Sequence, residues 1–162
     1  MKVAYLAFGA NLGDRAATIA DAMARLTAAG AALRARSAIY ETDAVAPEPQ
    51  PPYLNAAARV ETDLSPHALL AVCLNIEAAL GRVRPAGRHH APRLIDVDLL
   101  LVGDDVIDDP PLLILPHPRL LERPFVRIPL AEVAVPGLTH PVTGEPLDRA
   151  APHPSVRRRA GA

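Results

Sequence analysis

The sequence has little of several residue types. Its 162 residues include one cysteine, no tryptophan and only 3% aromatic residues. A single cysteine, Cys73, excludes an intrachain disulfide, and on an apolar helical stripe we expect it to be a core residue without a catalytic role. No segment has the run of apolar residues that would span a bilayer, and the N-terminus lacks the pattern of a signal peptide. We therefore expect a cytoplasmic protein that does not bind membranes.

The sequence also lacks an excess of charge of either sign. Seventeen basic residues face eighteen acidic ones, which leaves a formal net charge of −1. This balance argues against broad attraction to nucleic acid, and an RNA-binding module would also need exposed aromatic residues on a basic face. The phosphate-binding pattern G-x-x-x-x-G-K-[ST] is absent too, so the chain is not a P-loop enzyme. Any anion binding must therefore be local.

With 162 residues, half of them apolar, the chain is long enough to bury one core and too short for two full domains. We predict a single domain over residues 1–147 and a flexible C-terminal tail over 148–162. The periodicity of apolar residues and the positions of glycine and proline predict strands over 2–9, 31–42, 53–62 and 94–102, and helices over 14–29 and 65–81. Shorter helical segments are predicted over 119–123 and 125–133.

The order of these elements is strand, helix, strand, strand, helix, strand. It predicts an α+β fold, a ferredoxin-like βαββαβ sandwich with an extra C-terminal hairpin and short helices. The first helix is expected to start at Asp14 and to end before Gly30, and the second starts at Ser65 followed by Pro66. Fold class alone leaves the function open.

Two aspartates, Asp96 and Asp98, lie two residues apart in the apolar strand segment LIDVDLLL. Because side chains alternate along a strand, both carboxylates point to one face, roughly 6 to 7 Å apart. At an effective dielectric constant near 20 they would repel by about 2 to 3 kcal/mol, so the pair needs a cation, arginines or a raised pKa. Hard carboxylate oxygens suit Mg²⁺. The alternative is a solvated strand face with arginine partners.

Arginines surround this strand in the sequence. Four precede it and two follow it: Arg82, Arg84, Arg88, Arg93, Arg119 and Arg123. A run of arginines is often only a solvated surface, but beside an Asp-x-Asp strand it is typical of a phosphate clamp next to a metal site. Two alternatives remain open: a nucleotide-sugar transferase that uses Asp-x-Asp with manganese, and a ferredoxin-like module that binds RNA or a small regulatory molecule.

Aromatic and amide side chains form a third group. Tyr53 and Asn55 share one face of a predicted strand, and a flat ring beside an amide suits a planar heterocycle. A half-buried strand edge explains them equally well. Phe125, one of two phenylalanines, would be assigned to the core on its own pattern.

Five sequence blocks together resemble one family. They are GANLGD, YLNAA, the E-x2-LGR-x-R segment from Glu77 to Arg84, HxAPRxxDVDLL and LPHPRLxxRPFVxxPL, and they occur in this order between about Val3 and Pro136. This arrangement is similar to that of the 6-hydroxymethyl-7,8-dihydropterin pyrophosphokinases of folate biosynthesis. The block that contains both aspartates is the most specific of the five.

The resemblance implies transfer of pyrophosphate from ATP to the hydroxymethyl group of the pterin, with release of AMP. It implies Asp96 and Asp98 as ligands of two Mg²⁺ ions, and these aspartates with Arg82 and Arg93 as catalytic residues. ATP would be bound by Glu77, Arg84, Arg88, His90, Arg93, His117, Arg119 and Arg123. The pterin would be bound by Thr42, Asp43, Val45, Tyr53, Asn55 and Phe125. The partners are small molecules; we expect a monomer, with a weak homodimer as the alternative.

The sequence departs from the family pattern at three places. Gly9 and Ala10 stand for the usual glycine and serine of the first block. His89, His90 and Ala91 replace the usual arginine, aromatic residue and glycine before Pro92, and one extra residue leaves the register of Arg88 open. Leu112 occupies a position where relatives often have an arginine.

Overall fold

The computed structural model describes residues 1–11, 13–43, 52–81 and 95–159. The strands are β1 Lys2–Ala10, β2 Ala31–Arg36, β3 Tyr40–Thr42, β4 Tyr53–Thr62, β5 Asp96–Val102, β6 Ile107–Asp109, β7 Leu113–Leu115 and β8 Arg157–Arg158; the α-helices are α1 Arg15–Ala28, α2 Pro66–Ala79 and α3 Pro124–Val133. A short 3-10 helix spans Leu120–Glu122. Within the described ranges no helix has the length and apolar character to cross a membrane.

One antiparallel sheet organises the fold. Its strands lie in the order β5, β1, β4, β3, β8, and β2 also pairs with β4. β6 and β7 form a separate hairpin. The mixed α/β architecture, with an antiparallel sheet and helices packed on it, confirms the predicted α+β class.

The two long helices begin where the sequence predicts. The side chain of Asp14 accepts a hydrogen bond from the amide of Ala17, and that of Ser65 accepts one from the amide of Ala68. Each satisfies an amide at the start of a helix that has no partner within the helix. Gly30, with φ of 103°, follows α1 in the left-handed region, which glycine adopts without a steric penalty.

The sheet is covered on both faces. Alternate residues of β1, such as Leu6 and Phe8, pack with α1 and α2 in the larger core cluster. On the opposite face Tyr5 and Ala57 pack with Val126 and Leu130 of α3. Side chains that point away from α1 and α2 therefore lie on the α3 face.

The prediction of one strand over 31–42 is wrong, because β2 ends at Arg36 and β3 starts at Tyr40. Ser37 uses its hydroxyl to accept from the amide of Ala57 and to donate to the carbonyl of Ala38. The amide of Ala38 in turn donates to Glu132 on α3. These polar contacts replace part of the strand ladder and interrupt it.

Glu132 fixes α3 against the same region. Its carboxylate also accepts a hydrogen bond from the hydroxyl of Tyr40. Burial, together with this carboxylate, raises the pKa of Tyr40 to about 12. The phenol therefore remains protonated and keeps donating over the whole physiological pH range.

Part of the predicted flexible tail belongs to the sheet. β8 pairs with β3, with Arg158 opposite Tyr40 and Arg157 opposite Glu41. The guanidinium of Arg157 also lies 3.0 Å from the carboxylate of Asp43. Residues 157–159 are thus attached to the sheet edge, while the domain boundary at 147 stays a prediction.

Cys73 provides a test of the core. It is completely buried on α2, and burial, with the carboxylates of Glu77 and Asp98, raises its pKa from 9.0 to about 12. Such a shift lowers the fraction of Cys73 that is thiolate near neutral pH about a thousandfold relative to an unperturbed cysteine. We expect an aromatic disulfide reagent to label the native chain far more slowly than the chain unfolded in guanidinium. Equal labelling rates would contradict this packing.

Candidate active site

The alternation of β5 separates its apolar and acidic residues. Val97 and Leu99 are buried in the core cluster beneath α1 and α2. Asp96 and Asp98 are half-buried and lie on the opposite face. The structure therefore places both carboxylates on one face, as the sequence predicts.

Small residues of β1 lie next to these aspartates. Gly9 pairs with Asp96 on one side and with Asn55 on the other, and Ala7 pairs with Asp98. Residues directly opposite one another in an antiparallel pair project from the same face. Because Gly9 has no side chain, the space between the Asp96 carboxylate and the Asn55 amide stays open.

Glu77 on α2 fixes the position of β5. Its carboxylate oxygen accepts a hydrogen bond of 2.9 Å from the amide of Val97, and the side chain is 4% exposed. Val97 lies between the two aspartates in sequence, so this bond attaches the start of β5 to α2. Glu77 therefore has a structural contact in addition to its predicted role in ATP binding.

Two cavities adjoin at β5. We name the first the hairpin cavity, because residues 111–114 of the β6–β7 hairpin line it; it has a volume of about 500 Å³. We name the second the aromatic cavity, because Tyr53 and Phe125 line it; its volume is about 790 Å³. Asp96, Asp98 and Arg123 line both cavities. A molecule in either cavity can therefore reach the same two carboxylates.

The hairpin cavity combines apolar and charged walls. Leu70 and Leu74 of α2 and Leu112 of the hairpin supply apolar surface, and Glu77, His117 and Arg123 supply polar groups. Leu112 contributes an exposed apolar side chain to this cavity. This combination suits a ligand with an apolar or flat part and an anionic part.

His117 adjoins the aspartates in this cavity. Burial lowers its pKa below the usual range, and the guanidinium groups of Arg123 and Arg119 act in the same direction. The carboxylate of Asp98 opposes them. The ring is therefore neutral near pH 7, and because Nδ1 accepts the amide of Arg119, its proton lies on Nε2.

The aromatic cavity holds an amide beside two rings. The amide nitrogen of Asn55 donates to the hydroxyl of Thr42 over 2.9 Å, and Asn55 is 6% exposed. This bond fixes the orientation of the amide and leaves its oxygen on the side of Gly9. The guanidinium of Arg123 lies 5.7 Å from the centre of the Phe125 ring, an attractive cation–π arrangement.

Most of the predicted site residues that the structure describes come together here. Glu77, Asp96, Asp98, His117 and Arg123 line the hairpin cavity, and Thr42, Asp43, Tyr53, Asn55, Phe125, Asp96, Asp98 and Arg123 line the aromatic cavity. Arg119 is exposed and lines neither. Val45, Arg82, Arg84, Arg88, His90 and Arg93 lie outside the described residues.

Several lining residues of the aromatic cavity were not predicted. They are Ala7, Phe8, Gly9, Glu122, Pro124, Val126, His153 and Ser155. Strand pairing could have indicated Ala7 and Gly9, because a small residue opposite each aspartate is visible once the register is known. No local sequence signal marks His153 or Ser155.

The aspartates meet the basic requirement for a divalent cation. Their hard oxygens on one strand face suit Mg²⁺, which commonly binds one or two carboxylates and keeps its other positions for phosphate and water. Among the described residues, no group of three or more histidine, cysteine, aspartate or glutamate side chains could hold a metal.

Comparison with known proteins identifies the family of this chain. A family model described as 7,8-dihydro-6-hydroxymethylpterin-pyrophosphokinase (HPPK) matches residues 5–135. The chain belongs to the HPPK family. This match includes every described residue that we assigned to the site from the sequence, and it ends before His153.

Two of the relatives described here are named as pyrophosphokinases, and the third is named as a folic acid synthesis protein. The chain is 49% identical over 136 residues to the 2-amino-4-hydroxy-6-hydroxymethyldihydropteridine pyrophosphokinase of Methylorubrum extorquens. This match covers 83% of the chain and 84% of the relative. The enzyme of the same name from Bacillus subtilis is 42% identical, over 81% and 77%. A Schizosaccharomyces pombe folic acid synthesis protein is 39% identical, but the match covers only 20% of its length.

Solved structures of HPPK-DHPS share the fold. A crystal structure of HPPK-DHPS in complex with substrates matches 91% of this chain and 42% of its own chain, with a TM-score of 0.68 and 14% identity. Wild-type Plasmodium falciparum HPPK-DHPS gives the same TM-score and identity over 91% and 43%. At this identity the likeness concerns the fold alone.

Glu77 allows a test of how the aspartate strand is held. Glu77→Ala removes the acceptor of the buried Val97 amide, so we expect the free energy of unfolding to fall by about 1 to 3 kcal/mol. Glu77→Gln keeps an acceptor oxygen and should lose less. Urea unfolding of the three proteins measures the difference. A stability of Glu77→Ala equal to that of the wild type would show that the bond is dispensable.

Proposed function

We propose that this chain transfers the β,γ-pyrophosphoryl group of ATP to the hydroxymethyl oxygen of 6-hydroxymethyl-7,8-dihydropterin, in folate biosynthesis. One observation carries the proposal: Asp96 and Asp98 line both the hairpin cavity and the aromatic cavity. Two substrates that occupy the two cavities would meet at these carboxylates. Membership in the HPPK family identifies which two substrates to test.

The aromatic cavity suits the pterin. Tyr53 and Phe125 offer flat apolar surfaces for a planar ring, and the Asn55 amide, oriented by Thr42, can bond the polar edge of that ring. The open space over Gly9 lets the ring and its hydroxymethyl group approach the aspartates. The pterin oxygen would therefore lie on the same strand face as both carboxylates.

The hairpin cavity suits ATP. Leu70, Leu74 and Leu112 provide an apolar surface for the base, and the Nε2 proton of His117 and the guanidinium of Arg123 can bond phosphate oxygens. The arginines of residues 82–93 would complete the phosphate clamp in the role that the family resemblance implies.

The proposed chemistry is one displacement at phosphorus. The pterin hydroxymethyl oxygen forms a bond to the β-phosphorus, the bond from that phosphorus to the oxygen bridging the α- and β-phosphates breaks, and AMP leaves. One of the two aspartates accepts the hydroxyl proton. Because such reactions depend on positioning and on neutralisation of charge, a site formed by two adjoining cavities is well suited to them.

Mg²⁺ would be held by Asp96 and Asp98. When bound, it would neutralise negative charge on the triphosphate that the carboxylates would otherwise repel. Two ions are proposed, as the family resemblance implies. Arg123, which lines both cavities, would add a fixed positive charge on the same side.

The finer structural assignments belong to the same proposal. In the sheet, β1 lies between β5 and β4, and both β2 and β3 pair with β4. This order supports a ferredoxin-like sandwich, and we propose that topology for the core. A cytoplasmic location, a monomeric state and a single domain over residues 1–147 stay predictions.

The reaction products test the function directly. ATP, Mg²⁺ and 6-hydroxymethyl-7,8-dihydropterin incubated with the protein should yield AMP and a pterin diphosphate, resolved by anion-exchange chromatography. Formation of ADP and a pterin monophosphate would place the attack at the γ-phosphorus and contradict the assignment. Omission of the pterin should abolish AMP formation.

The two aspartates test the site. Asp96→Asn and Asp98→Asn should each lower turnover at least about a hundredfold, which corresponds to roughly 3 kcal/mol of transition-state stabilisation. Asp104→Asn, at an exposed aspartate after β5, is the matched control and should behave as the wild type. Circular dichroism verifies that all three variants are folded. Near-normal turnover of either site variant at saturating Mg²⁺ would exclude a two-carboxylate metal site.

A further inference from the structure

The C-terminal segment of the chain reaches the proposed pterin site. His153 and Ser155 line the aromatic cavity together with Tyr53, Asn55 and Phe125. The family model ends at residue 135, so these two residues lie outside the matched region. Both belong to the C-terminal segment that follows the matched region.

Strand pairing holds this segment in position. The amide of Arg159 donates to the carbonyl of Ile39 over 2.8 Å, and β8 pairs with β3. In this antiparallel register, residues that precede Arg157 continue alongside the carboxyl end of β3, towards Thr42 and Asp43. The segment therefore lies next to the carboxyl end of β3, where Thr42 lines the cavity.

A charged contact reinforces the same path. Arg157 lies 3.0 Å from the carboxylate of Asp43, the neighbour of Thr42, whose hydroxyl accepts from Asn55. Each step from the tail to the predicted pterin residues is thus a direct contact or a covalent neighbour. Although an exposed ion pair stabilises little by itself, it adds here to the backbone pairing.

His153 has a defined orientation within a turn. Its carbonyl accepts the amide of Val156 over 3.0 Å. Its ring nitrogen Nδ1 accepts the amide of Ser155 over 3.1 Å and lies 2.7 Å from the Ser155 hydroxyl. A nitrogen that accepts an amide N–H is unprotonated, so the ring proton is on Nε2. His153, a lining residue of the cavity, therefore carries one N–H donor, at Nε2, that none of these turn hydrogen bonds uses.

We propose that the turn formed by residues 153–156 is part of the pterin-binding site, with His153 as a further substrate-binding residue. Nε2–H of His153 donates to an acceptor atom on the edge of the planar ring, and β8 pairing holds the turn against the cavity. This inference rests on the proposed assignment of the aromatic cavity to the pterin.

Binding to the full-length protein tests the inference. Calorimetry with 6-hydroxymethylpterin, in the presence of Mg²⁺ and a nonhydrolysable ATP analogue, gives the dissociation constant of each variant. His153→Ala should raise the pterin constant about threefold to tenfold, the range expected for one lost hydrogen bond. The constant for the ATP analogue should stay within about twofold of the wild-type value, because only the aromatic cavity is changed.

A matched pair of variants tests the anchoring strand from outside the cavity. Arg159→Pro removes the amide that bonds the Ile39 carbonyl and should weaken pterin binding to a similar extent. Arg159→Ala keeps that amide and loses only a side chain 3.9 Å from Glu41, so it should bind as the wild type. Tyr53→Ala serves as the positive control for a weakened pterin site.

The outcomes separate this inference from the proposed function. Unchanged pterin affinity of both His153→Ala and Arg159→Pro, in a wild-type protein that forms AMP and the pterin diphosphate, overturns the inference and leaves the function standing. Equal loss of pterin and ATP-analogue affinity would show a general structural effect and also overturns it. A wild-type protein that neither binds the pterin nor forms AMP overturns both.

Discussion

The hydrogen bond from the Val97 amide to the buried carboxylate of Glu77 is the contact on which the rest of the site depends. It attaches the start of β5 to α2 at Val97, the residue between the two aspartates. Because the strand period is two, fixing Val97 towards the core also fixes Asp96 and Asp98 towards the α3 face. A slip of one residue would bury both carboxylates in the apolar core, and removing a charged group from water into such a core is costly.

With β5 fixed, the neighbouring strand determines what can approach the aspartates. Gly9 and Ala7 of β1 lie directly beside them, and any larger side chain at these positions would fill the floor of the aromatic cavity. The site is therefore open because the central strand is small there, while the other face of the same strand carries Leu6 and Phe8 in the core. One face of β1 thus packs in the core, and its other face leaves the aromatic cavity open.

Much of this arrangement could be predicted from the sequence, because it depends on local periodicity. The alternation in DVD placed both carboxylates on one face, and Asp14 and Ser65 marked the helix starts correctly. The break at Ser37 could not be predicted, since its cause is a set of contacts with Ala57 and with Glu132, which lies far along the chain. The role of Gly9 likewise depends on the register between strands.

The position of the C-terminal segment was the least predictable part of the structure. Its paired residues and the turn before them need separate explanations. β3 has only three residues and would leave an unpaired edge, which proteins generally cover. That requirement explains the pairing of Arg157 and Arg158. It does not explain the turn that precedes them, because residues 153–155 lie beyond the paired positions and gain nothing from edge protection. Their hydrogen bonds fix the conformation of His153, a lining residue of the aromatic cavity. Edge protection therefore accounts for the paired residues, and the contact with the pterin that we propose for His153 would account for the turn before them.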